Sequence, residues 1–90
     1  MKILDKKFIY LISPNKIISS IFYNNLNLVL KSNKVKFFQL RLKKEKKERK
    51  VIIAKKILRI CKKNKVKFII NDDPYLALKV NADGCHLGQK

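Results

Sequence analysis

Val66-Lys67-Phe68-Ile69-Ile70-Asn71-Asp72-Asp73-Pro74-Tyr75-Leu76-Ala77-Leu78-Lys79-Val80-Asn81-Ala82-Asp83-Gly84-Cys85-His86-Leu87 reads as one complete strand, helix and strand. Val66 to Ile70 is a short β-branched and aromatic run, the composition of a strand. It enters Asn71-Asp72-Asp73-Pro74, where the Asp73 carboxylate can accept a bond from an orphan amide and Pro74 fits the first helical position. Tyr75, Leu76, Leu78 and Val80 then supply the apolar side of a short helix. Asn81 can close that helix, since asparagine tolerates the left-handed conformation. Ala82 to Leu87 gives a further short strand. Strand, helix and strand at this spacing form a parallel βαβ unit with a right-handed crossover.

The same unit repeats upstream. Phe8 to Ile12 is an apolar extended run that ends at Ser13-Pro14, and Ile18, Phe22, Leu26, Val29 and Leu30 then recur at helical spacing. Ser32-Asn33 makes a stop, and Val35 to Lys43 gives a second extended run. After the charged stretch Lys44 to Lys50, a second helix places Val51, Ala54, Leu58 and Cys61 on one face, widened by Ile53, Ile57 and Ile60. Lysines fill its other face and its last turn, and Asn64 can terminate it. A doubly wound sheet and a (β/α)8 barrel share this alternation. The first strand-helix turn lacks a Gly-x-Gly-x-x-Gly phosphate loop, which favours the barrel. The expected fold is α/β, a partial TIM (β/α)8 barrel of four parallel strands and three helices in βαβαβαβ order. Residues 1–90 would form a single incomplete domain.

Ninety residues bury only a modest core. Lysine and arginine total 23 against 6 acidic residues, a formal net charge of +17, and such a balance raises a nucleic-acid or anionic-membrane partner. Arg41, Arg49 and Arg59 are the only arginines, however, and the lysine excess comes with abundant Ile, Asn, Phe and Tyr, residues that share A- and T-rich codons. A reader of bases or phosphates leans on the bidentate arginine fork. The charge therefore reads as a solvated surface. At 47% hydrophobic the chain is too apolar for a disordered basic tail. Phe8 to Ile12 is shorter than a signal-peptide core, and no stretch approaches the roughly 18 apolar residues of a membrane span, so the expectation is a cytoplasmic protein with no membrane partner. Cys61 and Cys85 read as buried thiols, because neither has metal-ligand spacing and Cys85 and His86 would point to opposite faces of a strand.

Ligands of either architecture gather at the carboxyl ends of the strands. Polar residues cluster there: Ser13 after the first strand, Gln39, Arg41 and Lys43 on the second, Asn71-Asp72 after the third, and Gln89 after the fourth. Alternate residues of a strand share a face, so Gln39, Arg41 and Lys43 would line up opposite Leu40 and Leu42. Two cations and an amide on one face suit a phosphate; the competing reading is an exposed strand end in a lysine-rich chain. A carboxylate beside such cations suits Mg2+, which takes one or two protein carboxylates plus phosphate oxygens, and the competing reading is helix capping. We assign the cap to Asp73 and the metal to Asp72. His86, without an acidic partner, reads as structural or as an unspecific pocket wall. No catalytic acid, base or nucleophile stands out.

Tyr10-Leu11-Ile12, then Phe38-Gln39-Leu40-Arg41-Leu42-Lys43, then Ile69-Ile70-Asn71-Asp72-Asp73 with Leu76-Ala77-Leu78, and finally Ala82-Asp83-Gly84-Cys85-His86-Leu87-Gly88-Gln89 resemble, in order and spacing, the thiamine-phosphate synthase family of (β/α)8 barrels. The resemblance implies thiamine biosynthesis: a transferase reaction in which a pyrimidine-methyl diphosphate loses pyrophosphate and a thiazole phosphate nitrogen attacks the carbocation-like methylene. It implies pyrimidine-diphosphate binding by Gln39, Arg41, Lys43 and Asn71, and a magnesium ligand in Asp72, so that metal and cations stabilise the departing pyrophosphate.

The sequence also departs from the family. Leu42 stands where the family usually has glutamate, although it would point away from the phosphate face. The family pattern continues past Gln89 with an acidic pair holding a second magnesium ligand and with later strands holding the thiazole-phosphate site. The expectation is therefore a truncated chain, inactive alone, needing a complementary C-terminal half or self-association because its outer strands would be open edges. Two other readings compete. A thiazole tautomerase-like relative of the same barrel would need no pyrimidine-diphosphate site, against Arg41, Lys43, Asn71 and Asp72. A basic nucleic-acid-binding module would show steeply salt-dependent binding, and no aromatic-interleaved basic strand supports it.

Overall fold

A computed structural model describes residues 3–5, 8–14 and 20–88 of the chain. The elements run β1 (Ile3–Asp5), β2 (Phe8–Ile12), α1 (Ser20–Leu30), β3 (Val35–Leu40), α2 (Lys47–Lys63), β4 (Lys67–Asn71), α3 (Pro74–Val80) and β5 (Gly84–His86). The four strands β2 to β5 are parallel and lie side by side in chain order, joined by the three helices. A doubly wound sheet reverses its strand order at a switch point. This sheet does not, and α2 packs against both α1 and α3, so the helices form one layer on one face. That is the local geometry of a barrel wall.

β1 was not foreseen. It pairs antiparallel with the start of β2, Ile3 opposite Ile9 and Asp5 opposite Phe8, with an irregularity between the two pairs. Three residues with no helix after them carry too little periodicity to announce a strand, and only the neighbouring edge makes them one.

The register sorts the parallel strands into two faces. Leu11, Phe38, Phe68, Leu40, Ile70 and Cys85 point to the helices, and all of them belong to or pack against one apolar core. Leu26 and Leu30 of α1, Ile53, Ala54, Ile57 and Cys61 of α2, and Leu76, Ala77 and Val80 of α3 complete it. Burying a side chain of this size contributes roughly 1.5–3 kcal/mol. Burial, and secondarily the Asp83 charge, pushes the Cys61 thiol up to about 12. The second face carries Tyr10, Ile12, Phe37, Gln39, Ile69, Asn71 and His86, and no helix of the described residues lies upon it.

Several boundaries differ from the sequence reading. The second parallel strand stops at Leu40 instead of reaching Lys43, the third runs Lys67–Asn71 in place of Val66 to Ile70, and the last is confined to Gly84–His86. On α3 the buried residues are Leu76, Ala77 and Val80, whereas Tyr75 and Leu78 are 84% and 80% exposed. Three- and four-residue steps select the buried set, and Tyr75 and Leu78 fall off that stripe. Val29 is half-exposed beside the buried Leu26 and Leu30, and Ile18 lies outside the described residues. The caps follow the sequence more closely. Asp73 accepts from the Leu76 N–H at 3.0 Å, and Asn81 is left-handed with φ 59°. At the end of α2 the Asn64 amide nitrogen donates to the Ile60 carbonyl at 2.8 Å, and the left-handed residue is the following Lys65, φ 59°. No helix of the described residues is long and apolar enough to cross a membrane.

Candidate functional site

The carboxyl ends of β2, β3, β4 and β5 bring the polar residues of four separate segments to one rim. Gln39 is the innermost. It occupies the bare face of β3, opposite Ile12 on one side and Ile69 on the other, and is only 5% exposed. Its Nε2 donates to the Tyr10 hydroxyl at 2.7 Å, and the Tyr10 ring stacks on Phe37 with centroids 5.5 Å apart. An amide buried without a partner would cost about 1–3 kcal/mol, so Tyr10 removes a penalty and holds the carboxamide in one orientation.

Arg41 and Lys43 lie just beyond β3 rather than on it. The expected alternation nevertheless persists, because Leu42 packs against the core while Arg41 and Lys43 stay exposed. The ion pairs of the described residues, Arg49 with Glu45 and Lys50 with Asp73, leave both cations free of a carboxylate. Ser13, at the end of β2, is 7% exposed; its N–H donates to the Gln39 carbonyl at 2.9 Å and its Oγ accepts the Arg41 N–H at 2.9 Å.

Asn71 ends β4 on the same face as Gln39, level with His86 of β5. Asp72 follows with a left-handed backbone, φ 57°, and its N–H donates to the His86 carbonyl at 2.8 Å. Its Oδ1 accepts from the Gly88 N–H, and the Asn71 amide nitrogen lies 3.5 Å from its Oδ2. A Cβ on Gly88 would sit 3.2 Å from Asp72 Oδ2 and 3.3 Å from Oδ1, so a side chain there would require the carboxylate to shift slightly. Asp73 points elsewhere. It caps α3, lies 3.8 Å from Lys50 Nζ, and lines an outer cleft of about 420 Å3 between α2 and α3. The two adjacent carboxylates thus divide, one to the helix layer and one to the rim.

The left-handed turn at Asp72 aims its exposed carboxylate across the end of β5. An exposed carboxylate at the end of β4, with two cations just beyond the neighbouring β3, is the kind of ligand that Mg2+ takes together with phosphate oxygens and water. The described residues hold no group of three His, Cys, Asp or Glu that would form an all-protein metal cage. His86 is exposed on the bare face, next to Asn71, and Cys85 turns the other way to the core. Gln89 lies outside the described residues. The sequence did not single out Tyr10 or Gly88. Tyr10 was legible in principle, since alternation puts it on the Gln39 face once β2 and β3 are neighbours. Gly88 was not, because its partner is sixteen residues away.

The family model of thiamine monophosphate synthase matches residues 9–90. The chain belongs to the thiamine monophosphate synthase family. It is 68% identical over 87 residues to the thiamine-phosphate synthase of Pelagibacter ubique, covering 97% of this chain and 42% of that protein. The thiamine-phosphate synthase of Flavobacterium johnsoniae is 44% identical over 52 residues, covering 58% of this chain and 24% of that protein. The solved thiamine phosphate pyrophosphorylase of Pyrococcus furiosus superposes with a TM-score of 0.74 at 21% identity, covering 89% of this chain and 38% of that one, so the two share a fold. The chain spans about two fifths of the length of its 68% identical thiamine monophosphate synthase relative.

Proposed function

We propose that these residues form the pyrimidine-diphosphate side of a thiamine-phosphate synthase site. The observation that carries the reading is the pair of cations, Arg41 and Lys43, just beyond β3 and without an ion pair among the described residues, with Asn71 and the Asp72 carboxylate at the end of the adjacent β4. Gln39, fixed by Tyr10, offers its carboxamide oxygen to a donor on the pyrimidine ring. Arg41 and Lys43 hold the diphosphate oxygens and stabilise the negative charge that grows as pyrophosphate departs. Asn71 adds a neutral donor that contacts the same substrate without repelling Mg2+. Asp72 is the protein ligand for Mg2+, which supplies further charge neutralisation on the leaving group. Opposite charges within one rim also keep the site from repelling its anionic substrate before the metal arrives.

The second substrate, a thiazole phosphate, is held by further strands of the same barrel that close on the bare face and on the β5 edge. A complementary half would supply them to this stretch, and self-association would instead cover the bare face, in the cytoplasm. The length of the relatives supports this, as does a half-exposed inner face that a closed barrel would bury.

Titration of the chain with pyrophosphate, with and without Mg2+, tests the diphosphate reading. Mg2+ is expected to strengthen binding, and Arg41→Ala or Lys43→Ala to weaken it about tenfold or more, the loss of a charge-assisted contact. Binding that ignores both substitutions would overturn the reading. Mixing the chain with both substrates and Mg2+ is expected to give no thiamine phosphate until the remaining strands are added.

A further inference from the structure

We propose that Ser13 is a positioning residue for Arg41, setting where its guanidinium stands at the rim; this rests on the reading of Arg41 as a diphosphate ligand. In a parallel ladder the residue that donates its N–H to one carbonyl accepts, through its own carbonyl, the N–H two residues further along the neighbouring strand. The Ser13 N–H donates to the Gln39 carbonyl at 2.9 Å, so the next rung would run from the Arg41 N–H to the Ser13 carbonyl. It runs to the side chain instead, with Arg41 N at 2.9 Å from Ser13 Oγ. A side-chain oxygen has taken the place of a main-chain one, which is how serine competes with regular structure.

One consequence follows from that exchange. The ladder stops at Leu40, which accounts for β3 ending there although the alternating pattern continues to Lys43. Beyond Leu40 the Arg41 side chain is exposed at the rim while Leu42 packs against the core. The hydroxyl is held for this role. Its hydrogen is directed to the Pro14 carbonyl at 3.0 Å, leaving a lone pair for the Arg41 N–H, and the side chain is buried, so water does not compete. Alanine would free the Arg41 N–H to take the Ser13 carbonyl, extend β3 by a rung and re-aim the guanidinium. Threonine keeps the hydroxyl and the exchange.

The test is a double-mutant cycle on the full chain, read as affinity for magnesium pyrophosphate. Ser13→Ala is expected to weaken binding about fivefold, the worth of one ordinary hydrogen bond, and Ser13→Thr to restore it. In an Arg41→Ala background Ser13→Ala should have no further effect, because the serine acts only through the arginine. An equal loss in both backgrounds, or no loss in either, overturns the proposal. A wild-type chain that binds no magnesium pyrophosphate, or one indifferent to Arg41→Ala, overturns the diphosphate reading itself and is told apart by that result. Should Ser13→Ala not fold, hydrogen exchange at the Arg41 amide of the wild-type chain serves in its place. Exchange there that is slow in the wild-type chain and in Ser13→Thr but faster in Ser13→Gly supports the bond to Ser13 Oγ, and exchange at the rate of an open amide, or one unchanged in Ser13→Gly, overturns it.

Discussion

The two faces of the parallel part of the sheet are built from the same four strands and differ in nearly everything else. The helix-facing side carries Phe38, Leu40, Phe68 and Ile70, none more than 2% exposed, under a single layer of three helices. The other side alternates apolar with polar residues, leaves Ile12 50% exposed, and ends in two cations with no ion pair among the described residues and in an exposed carboxylate. The difference separates two jobs. One face supplies cohesion and needs nothing but volume and apolarity; the other brings polar and charged side chains to one rim.

That division can be broken most severely from the cohesive side. Phe68→Ala should cost about 3–5 kcal/mol in urea or thermal unfolding, since it removes a fully buried ring from the middle of the core. Alkaline pH attacks the same face more gently. The folded Cys61 thiol titrates near 12 against an ordinary 9.0, so its stabilisation is complete below about pH 9 and is lost as pH rises toward 12, the unfolded chain giving up its proton first. The stability difference between the wild-type chain and Cys61→Ala should shrink across that window by up to about 1.4 kcal/mol per pH unit.

The adjacent carboxylates sharpen the contrast at smaller amplitude. Asp73→Ala should lower stability by about 1 kcal/mol through loss of the α3 cap and leave magnesium pyrophosphate binding unchanged. Asp72→Asn should do the reverse, removing the gain that Mg2+ brings to pyrophosphate binding while the unfolding midpoint stays in place, because asparagine accepts the left-handed backbone. Smallest of all is Ile12→Thr on the bare face, expected to change stability by less than about 0.5 kcal/mol. A loss as large as that of Phe68→Ala would mean that the bare face is covered in solution.

Much of this arrangement was legible in the residues themselves. The alternation of strands and helices, the Asp73 cap and the left-handed Asn81 all depend on groups within a few positions of one another, so local pattern suffices. The clustering of polar residues at the strand ends was legible as residue types, and the reading that Leu42 points away from Arg41 and Lys43 agrees with the fold. What could not be read was the path of the chain between them. Val35 to Lys43 has strand periodicity throughout, yet β3 ends at Leu40, and the next N–H, that of Arg41, goes to the side chain of Ser13, 28 positions away. Tyr75 and Leu78 looked apolar enough for a core, but only the docking of α3 shows that its buried stripe runs through Leu76, Ala77 and Val80.

The sequence by itself determined the elements, their order and the chemistry available at the rim, since propensity, capping and hydrophobic period are short-range properties of neighbouring residues. The tertiary structure decided where β3 ends, that β1 joins the sheet, that Tyr10 orients Gln39, and that Asp72 turns toward Gly88 while Asp73 turns toward Lys50. Each of those depends on a hydrogen bond or ion pair across strands or between elements, and which groups meet is settled only when the sheet has formed and the helices have packed on one face.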